Sequence, residues 1–142
     1  MSRPTERIGD ELPDPFAYPQ EAHRHRHGPA GYSNYQAYKP WLRDEFTFRC
    51  VYCLSREMWY PDRQASFSVD HIEPQVSAPD RIGDYANMVY ACTACNSAKQ
   101  EVEVLDPTVS ALGQHLRVRG DGSIEALTAE GERVDLLPQT PR

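Results

Sequence analysis

The sequence predicts a small α+β domain, and three observations carry that prediction. Two C-x-x-C pairs stand at Cys50/Cys53 and Cys92/Cys95; strand, loop, strand and helix patterns follow one another within residues 65–103; and a hairpin pattern lies towards the carboxyl end. A chain of 142 residues is about one domain's worth. Its 12 prolines leave much irregular chain around a modest core, and such a domain benefits from an added staple.

Taken in order, residues 1–38 are rich in Pro, Tyr and His without a sustained period and read as an irregular amino-terminal arm, either wrapped on the domain or mobile. Lys39–Phe46 reads as a short helix, with Pro40 near its first position and Leu42 and Phe46 on one face at i and i+4. Arg49–Cys53 is then a tight turn. Ala65–His71 alternates through Phe67 and Val69 and reads as a strand ending at Asp70-His71. Pro74, Pro79 and Gly83 break the next stretch into a loop, Asn87–Tyr90 forms a second strand, and a helix runs from Cys95 to about Glu103. After Asp106-Pro107, His115–Arg119 and Ile124–Leu127 flank the turn-rich Gly120–Ser123 as a hairpin, and residues 128–137 suit a last helix capped by Thr128. The expected division is therefore an arm (1–38), a central domain (39–105) and a carboxyl-terminal hairpin-and-helix extension (106–142).

All four cysteines fall in the two pairs, with 38 residues between Cys53 and Cys92. Two such knuckles match a tetrahedral zinc held by four thiolates, and the long interval implies a functional insert between them. Four thiolates leave zinc no open position, so this ion builds structure and catalysis is sought elsewhere. No apolar run is long enough to span a bilayer and the amino end shows no secretory pattern, so a cytoplasmic location is expected, where thiols stay reduced. The net charge of −6 argues against a generic nucleic-acid binder, but the acidity is concentrated in residues 101–142, which hold four basic and eight acidic residues.

Around the second knuckle lie Asp70-His71-Ile72-Glu73-Pro74, Asn87 and Cys92-Thr93-Ala94-Cys95-Asn96-Ser97-Ala98-Lys99. Over roughly residues 46–100 this constellation resembles the HNH endonucleases, whose zinc-stapled members carry such cysteines around a ββα-metal core. The resemblance implies hydrolysis of phosphodiester bonds in DNA with one divalent ion, leaving 5′-phosphate and 3′-hydroxyl ends. It assigns Asp70 and Asn96 to the catalytic ion, and oxygen ligands of this kind suit magnesium or manganese. His71 would be the general base, an imidazole able to be neutral near pH 7. Asn87 would hold the loop after His71 and orient the imidazole. The final motif position is Asn instead of His, an H-N-N version.

Successive strand residues point to opposite sides, so Asp70 and His71 share a site only if the chain bends at the strand end. Lys99, three residues after Asn96, would share its helical face and could meet a phosphate beside the metal. His23-Arg24-His25-Arg26-His27 could bind a metal or a phosphate backbone but reads first as a solvated basic segment. Tyr32, Tyr35 and Tyr38 could stack on bases or pack the arm onto the core. Glu73 either approaches the metal or faces solvent. The rival from another class is a catalytically silent zinc-dependent module binding nucleic acid or protein. DNA is the expected substrate with RNA open, no membrane is involved, and a dimer or partner protein would supply positive surface to offset the acidic tail.

Overall fold

The computed structural model describes residues 17–99 and 104–135. Helix α1 spans Lys39–Glu45, with Pro40 in its first turn, where a missing N–H costs nothing. Leu42 and Phe46 both turn inward, as their spacing predicts. The chain leaves α1 through Thr47 and Phe48, both left-handed (φ 56° and 61°), which aims it into the first knuckle. There Cys50 N–H bonds to Ser55 O (2.8 Å), Leu54 N–H to Cys50 O (3.0 Å) and Val51 N–H to Tyr90 O (2.9 Å), closing the turn and pinning it to the second strand.

Strand β1 (Phe67–His71) and strand β2 (Met88–Cys92) form an antiparallel pair with Val69 opposite Tyr90 and His71 opposite Met88. β2 is buried along its whole length, which removes the polar alternation of a strand with one wet face. Phe67 and Tyr90 stack across the pair, centroids 5.1 Å apart. Helix α2 (Thr93–Lys99) follows β2 directly, so the order strand, loop, strand, helix holds. The expected continuation of this helix through 100–103 lies outside the described residues.

The second sheet is the hairpin of β3 (Leu116–Val118) and β4 (Ile124–Ala126), turned at Gly122 (φ 87°). Helix α3 (Ala129–Asp135) starts at Thr128, whose hydroxyl accepts from Gly131 N–H (3.1 Å), the cap expected from the sequence. Residues 136 and 137 of the expected helix lie outside the described residues. One cluster of buried side chains runs through all these parts: Tyr18 and Tyr38 from the arm, Leu42, the knuckles, both strands of the first sheet, then Leu105, Leu116, Ile124 and Val134.

Of the two readings of the arm, residues 17–38 follow the wrapped one, with Tyr18 and Tyr38 in the core, and one expectation changes: the histidines of the His-Arg run are not solvated. His23, His25 and His27 are half-buried against the end of α1, where they meet the carboxylates of Asp44 and Glu45. Both acids are buried (5% and 3% exposed), and solvent therefore cannot satisfy them.

Candidate active site and metal centres

The cysteine cluster is assembled from three elements. Cys50 and Cys53 come from the first knuckle, Cys92 ends β2 and Cys95 lies in the first turn of α2. All four are buried and unbridged, and their Sγ atoms lie within 4.8 Å of one another. Cys95 N–H points to Cys92 Sγ (3.4 Å), and Ser55 Oγ lies 3.0 Å from Cys53 Sγ. Such donors soften the repulsion among thiolates gathered on one ion. Four sulfurs at these separations fit a tetrahedral zinc with no vacant position.

Behind this cluster, β1 delivers Asp70 and His71. The alternation of the strand is kept, so the two side chains find different partners. Asp70 turns inward: Tyr52 O–H donates to its Oδ2 (2.6 Å) and the Lys99 ammonium to its Oδ1 (3.2 Å). Burial pushes the Asp70 carboxyl upward, and the adjoining Lys99 charge and Tyr52 hydroxyl only partly oppose it. His71 turns the other way, with its Nε2 2.9 Å from Ile82 O. A carbonyl can only accept, so Nε2 carries the proton and Nδ1 holds the lone pair. Tyr35 sits edge-on to the same imidazole, centroids 4.7 Å apart. Asp70, His71, Asn96 and Tyr35 nonetheless border one open pocket. The bend expected at the strand end is not seen: both residues border the pocket, but the Asp70 carboxylate and the His71 imidazole keep to opposite sides of β1.

Asn87 is 1% exposed. It accepts from Glu73 N–H (2.8 Å) and donates to Glu73 O (3.1 Å) and Arg81 O (3.4 Å), which ties both ends of the loop after His71. Its hold on the imidazole is indirect: it fixes Arg81, and the next carbonyl, Ile82 O, receives the His71 proton. Asn96 stands one turn into α2 and donates through Nδ2 to Ser68 Oγ (2.8 Å), so its Oδ1 points away from that bond and is available to a cation. An amide oxygen and a carboxylate are donors that suit a hard divalent ion, although the Lys99 ammonium already neutralises part of the Asp70 charge.

Lys99 differs from expectation. Its ammonium is not on the pocket surface beside Asn96; it is 2% exposed and held by Asp70 and by His71 O (3.0 Å). A fully buried ammonium is satisfied by internal acceptors, and phosphate outside cannot reach it without moving the helix end. Glu73 pairs with Arg81 (2.8 Å) at the surface. Of the three tyrosines, Tyr38 is core, Tyr32 packs edge-on against it, and Tyr35 reaches the pocket. Sequence reasoning missed Tyr52 altogether. Its position inside the first C-x-x-C was the available signal, because that residue must lie against the strand carrying Asp70.

With this geometry in view, the comparison with protein families is specific. Residues 50–101 match the HNH endonuclease family model. The match begins at the first cysteine and runs past Lys99, so it takes in both knuckles, Asp70-His71, Asn87 and Asn96. No curated protein and no solved structure matches the chain. The HNH segment points to nuclease-type chemistry, a divalent metal and a nucleic-acid substrate. Among the described residues, no helix is long and apolar enough to cross a membrane.

Proposed function

We propose that this protein is an endonuclease that hydrolyses phosphodiester bonds in DNA, with His71 as general base. The observation that carries the reading is the His71 imidazole itself. Its Nε2 proton is committed to Ile82 O, its Nδ1 is therefore an acceptor, and Asp70 and Asn96 border the same pocket. Nδ1 takes a proton from water as the water oxygen attacks phosphorus, and the 3′ oxygen departs and takes up a proton from solvent, leaving 5′-phosphate and 3′-hydroxyl ends. Tyr35 limits the tilt of the ring, while Asn87 keeps the accepting carbonyl in place. A divalent ion, magnesium or manganese, held by Asp70 and Asn96 would supply charge compensation for the phosphorane-like transition state and the departing oxygen. The four cysteines hold a structural zinc that places β2 and α2, and with them Asn96.

One observation favours the catalytically silent binding module: both Asp70 oxygens already have donors, Tyr52 and Lys99. Each carboxylate oxygen has a second lone pair, so this competition weakens a metal site without closing it. The acidic balance of the chain further implies that a dimer or partner protein supplies positive surface for DNA. The deciding experiment is plasmid nicking with magnesium or manganese, comparing wild type with His71→Ala at equal folding and zinc content. Loss of cleavage by at least about 100-fold in the variant is expected of a missing general base. Equal activity of the two proteins, or inactivity of both with every metal and substrate, refutes the reading.

A further inference from the structure

The histidine run meets the end of α1 in an arrangement that the nuclease site does not use. We propose that His23, His25 and Glu45 form a second metal site, taking a divalent ion of the zinc class through two imidazole nitrogens and one carboxylate oxygen. His23 Nε2 and His25 Nδ1 converge on the same atom, Glu45 Oε2, at 2.6 and 2.5 Å, and the three ligand atoms lie within 4.8 Å of one another.

The rest of the carboxylate is already occupied. Glu45 Oε1 accepts from Arg26 N–H, His27 N–H and Tyr85 O–H, each at 3.1 Å, which fixes the carboxylate plane and leaves Oε2 to face the rings. His25 Nε2 lies 3.3 Å from Ala86 O, so that nitrogen bears a proton. A neutral His25 then turns the Nδ1 lone pair on an anionic oxygen, an arrangement that calls for a cation between them. A proton or a metal ion supplies it.

Preorganisation favours the metal. His23 stacks on Phe46 with centroids 4.4 Å apart and an interplanar angle of 17°, His25 sits edge-on to His23, and Glu45 is 3% exposed. Tetrahedral zinc, with bonds of about 2.0–2.2 Å, sets its ligand atoms about 3.3 Å apart, so the two nitrogen distances to Glu45 Oε2 need to open by less than about 1 Å, while the two nitrogens already lie within 4.8 Å of each other. His23 and Glu45 also border a cavity of about 180 Å³ shared with Glu21, which has room for water or that carboxylate as fourth ligand. Two nitrogens and one oxygen suit zinc better than magnesium. The ion would staple the arm to α1, and through His25, Tyr85 and Ala86 to the turn that carries Asn87.

Zinc per chain decides the matter, measured on the full chain after equilibration with zinc, excess magnesium and desalting. Two zinc ions are expected for wild type, one for the His23→Gln/His25→Gln double variant, and two for Asn96→Ala. Glutamine still donates to Glu45 but offers no imidazole nitrogen, so a proton-only latch survives that change while a metal site does not. Cobalt gives a second readout: the first equivalent produces the intense sulfur-to-cobalt charge-transfer band of the cysteine site, and the second adds only weak ligand-field bands that the double variant lacks. An intact charge-transfer band in that variant reports that it folds. One zinc in wild type, two in the double variant, or loss of the second ion in Asn96→Ala overturns the proposal; the last would assign it to the Asp70 pocket.

Discussion

The buried pair of Lys99 and Asp70 offers the sharpest test of how the pocket is held. The ammonium lies 3.2 Å from Asp70 Oδ1, with side-chain exposures of 1% and 4%. At an effective dielectric of about 20, charges at that separation attract by about 5 kcal/mol before desolvation is counted. Lys99→Met keeps the length of the side chain and removes the charge, leaving Asp70 with only the Tyr52 hydroxyl. Breaking a buried pair from one side typically costs about 3–5 kcal/mol, because the other charge stays buried. The expected loss is about 3 kcal/mol at pH 7, and Asp70→Asn alone should cost a similar amount by stranding the ammonium. The double variant strands neither charge, so its loss should fall short of the sum by about 2–3 kcal/mol. Urea denaturation of the four zinc-saturated proteins measures all sides of the cycle. The Lys99→Met penalty should also shrink in acid, where Asp70 takes up a proton and the stranded charge disappears. Additivity within about 0.5 kcal/mol would refute the reasoning, since it would mean the two groups do not interact in solution.

Three further outcomes follow from other parts of the molecule. Cys53→Ser, or a strong chelator applied to wild type, should unfold the domain as a whole, seen as loss of near-ultraviolet circular dichroism, because the four thiolates join knuckle, strand and helix. Gly131→Ala, which in an exposed helix would stabilise by about 1 kcal/mol, should instead lower the melting temperature, because a Cβ there runs into the His115 carbonyl oxygen; an increase would show that α3 does not dock on the hairpin as described. Burial of Glu57 pushes its carboxyl upward, but hydrogen bonds from Arg43 (2.8 and 2.9 Å) and Tyr90 outweigh it and leave the carboxyl below its ordinary value of 4.5. Its contribution is therefore present above pH 4.5 and lost as the pH falls through the folded value, so the stability gap between wild type and Glu57→Gln should narrow below pH 4.5; a gap unchanged down to pH 3 would contradict the pairing.

Much of the fold was legible because its signals are local. Alternation at Phe67 and Val69, the Pro40 start of α1, the Gly-rich turn at 120–123 and the Thr128 cap act over a few residues, and within the described residues the elements formed within about two residues of their expected bounds, the end of α2 apart. The C-x-x-C pairs carried long-range information as well, because tetrahedral coordination requires them to meet. The partners of the candidate site were less legible. Lys99 reads as a helix-surface residue by its spacing from Asn96, yet α2 packs on β1 so closely that the ammonium is enclosed by Asp70 and His71 O.

The sequence by itself determined the strand–loop–strand–helix order and the set of four cysteines, because spacing and residue chemistry suffice for those, while Asp70, His71, Asn87 and Asn96 were singled out by the family resemblance. Only the tertiary structure decided that Tyr52 and Lys99 occupy the Asp70 carboxylate, that Ile82 O sets the His71 tautomer, and that a histidine run which reads as solvated closes on Asp44 and Glu45. The physical reason is common to all three. A buried polar group must find a partner, and which partner it finds depends on segments up to 40 residues apart being packed together, as with Tyr85 and Glu45.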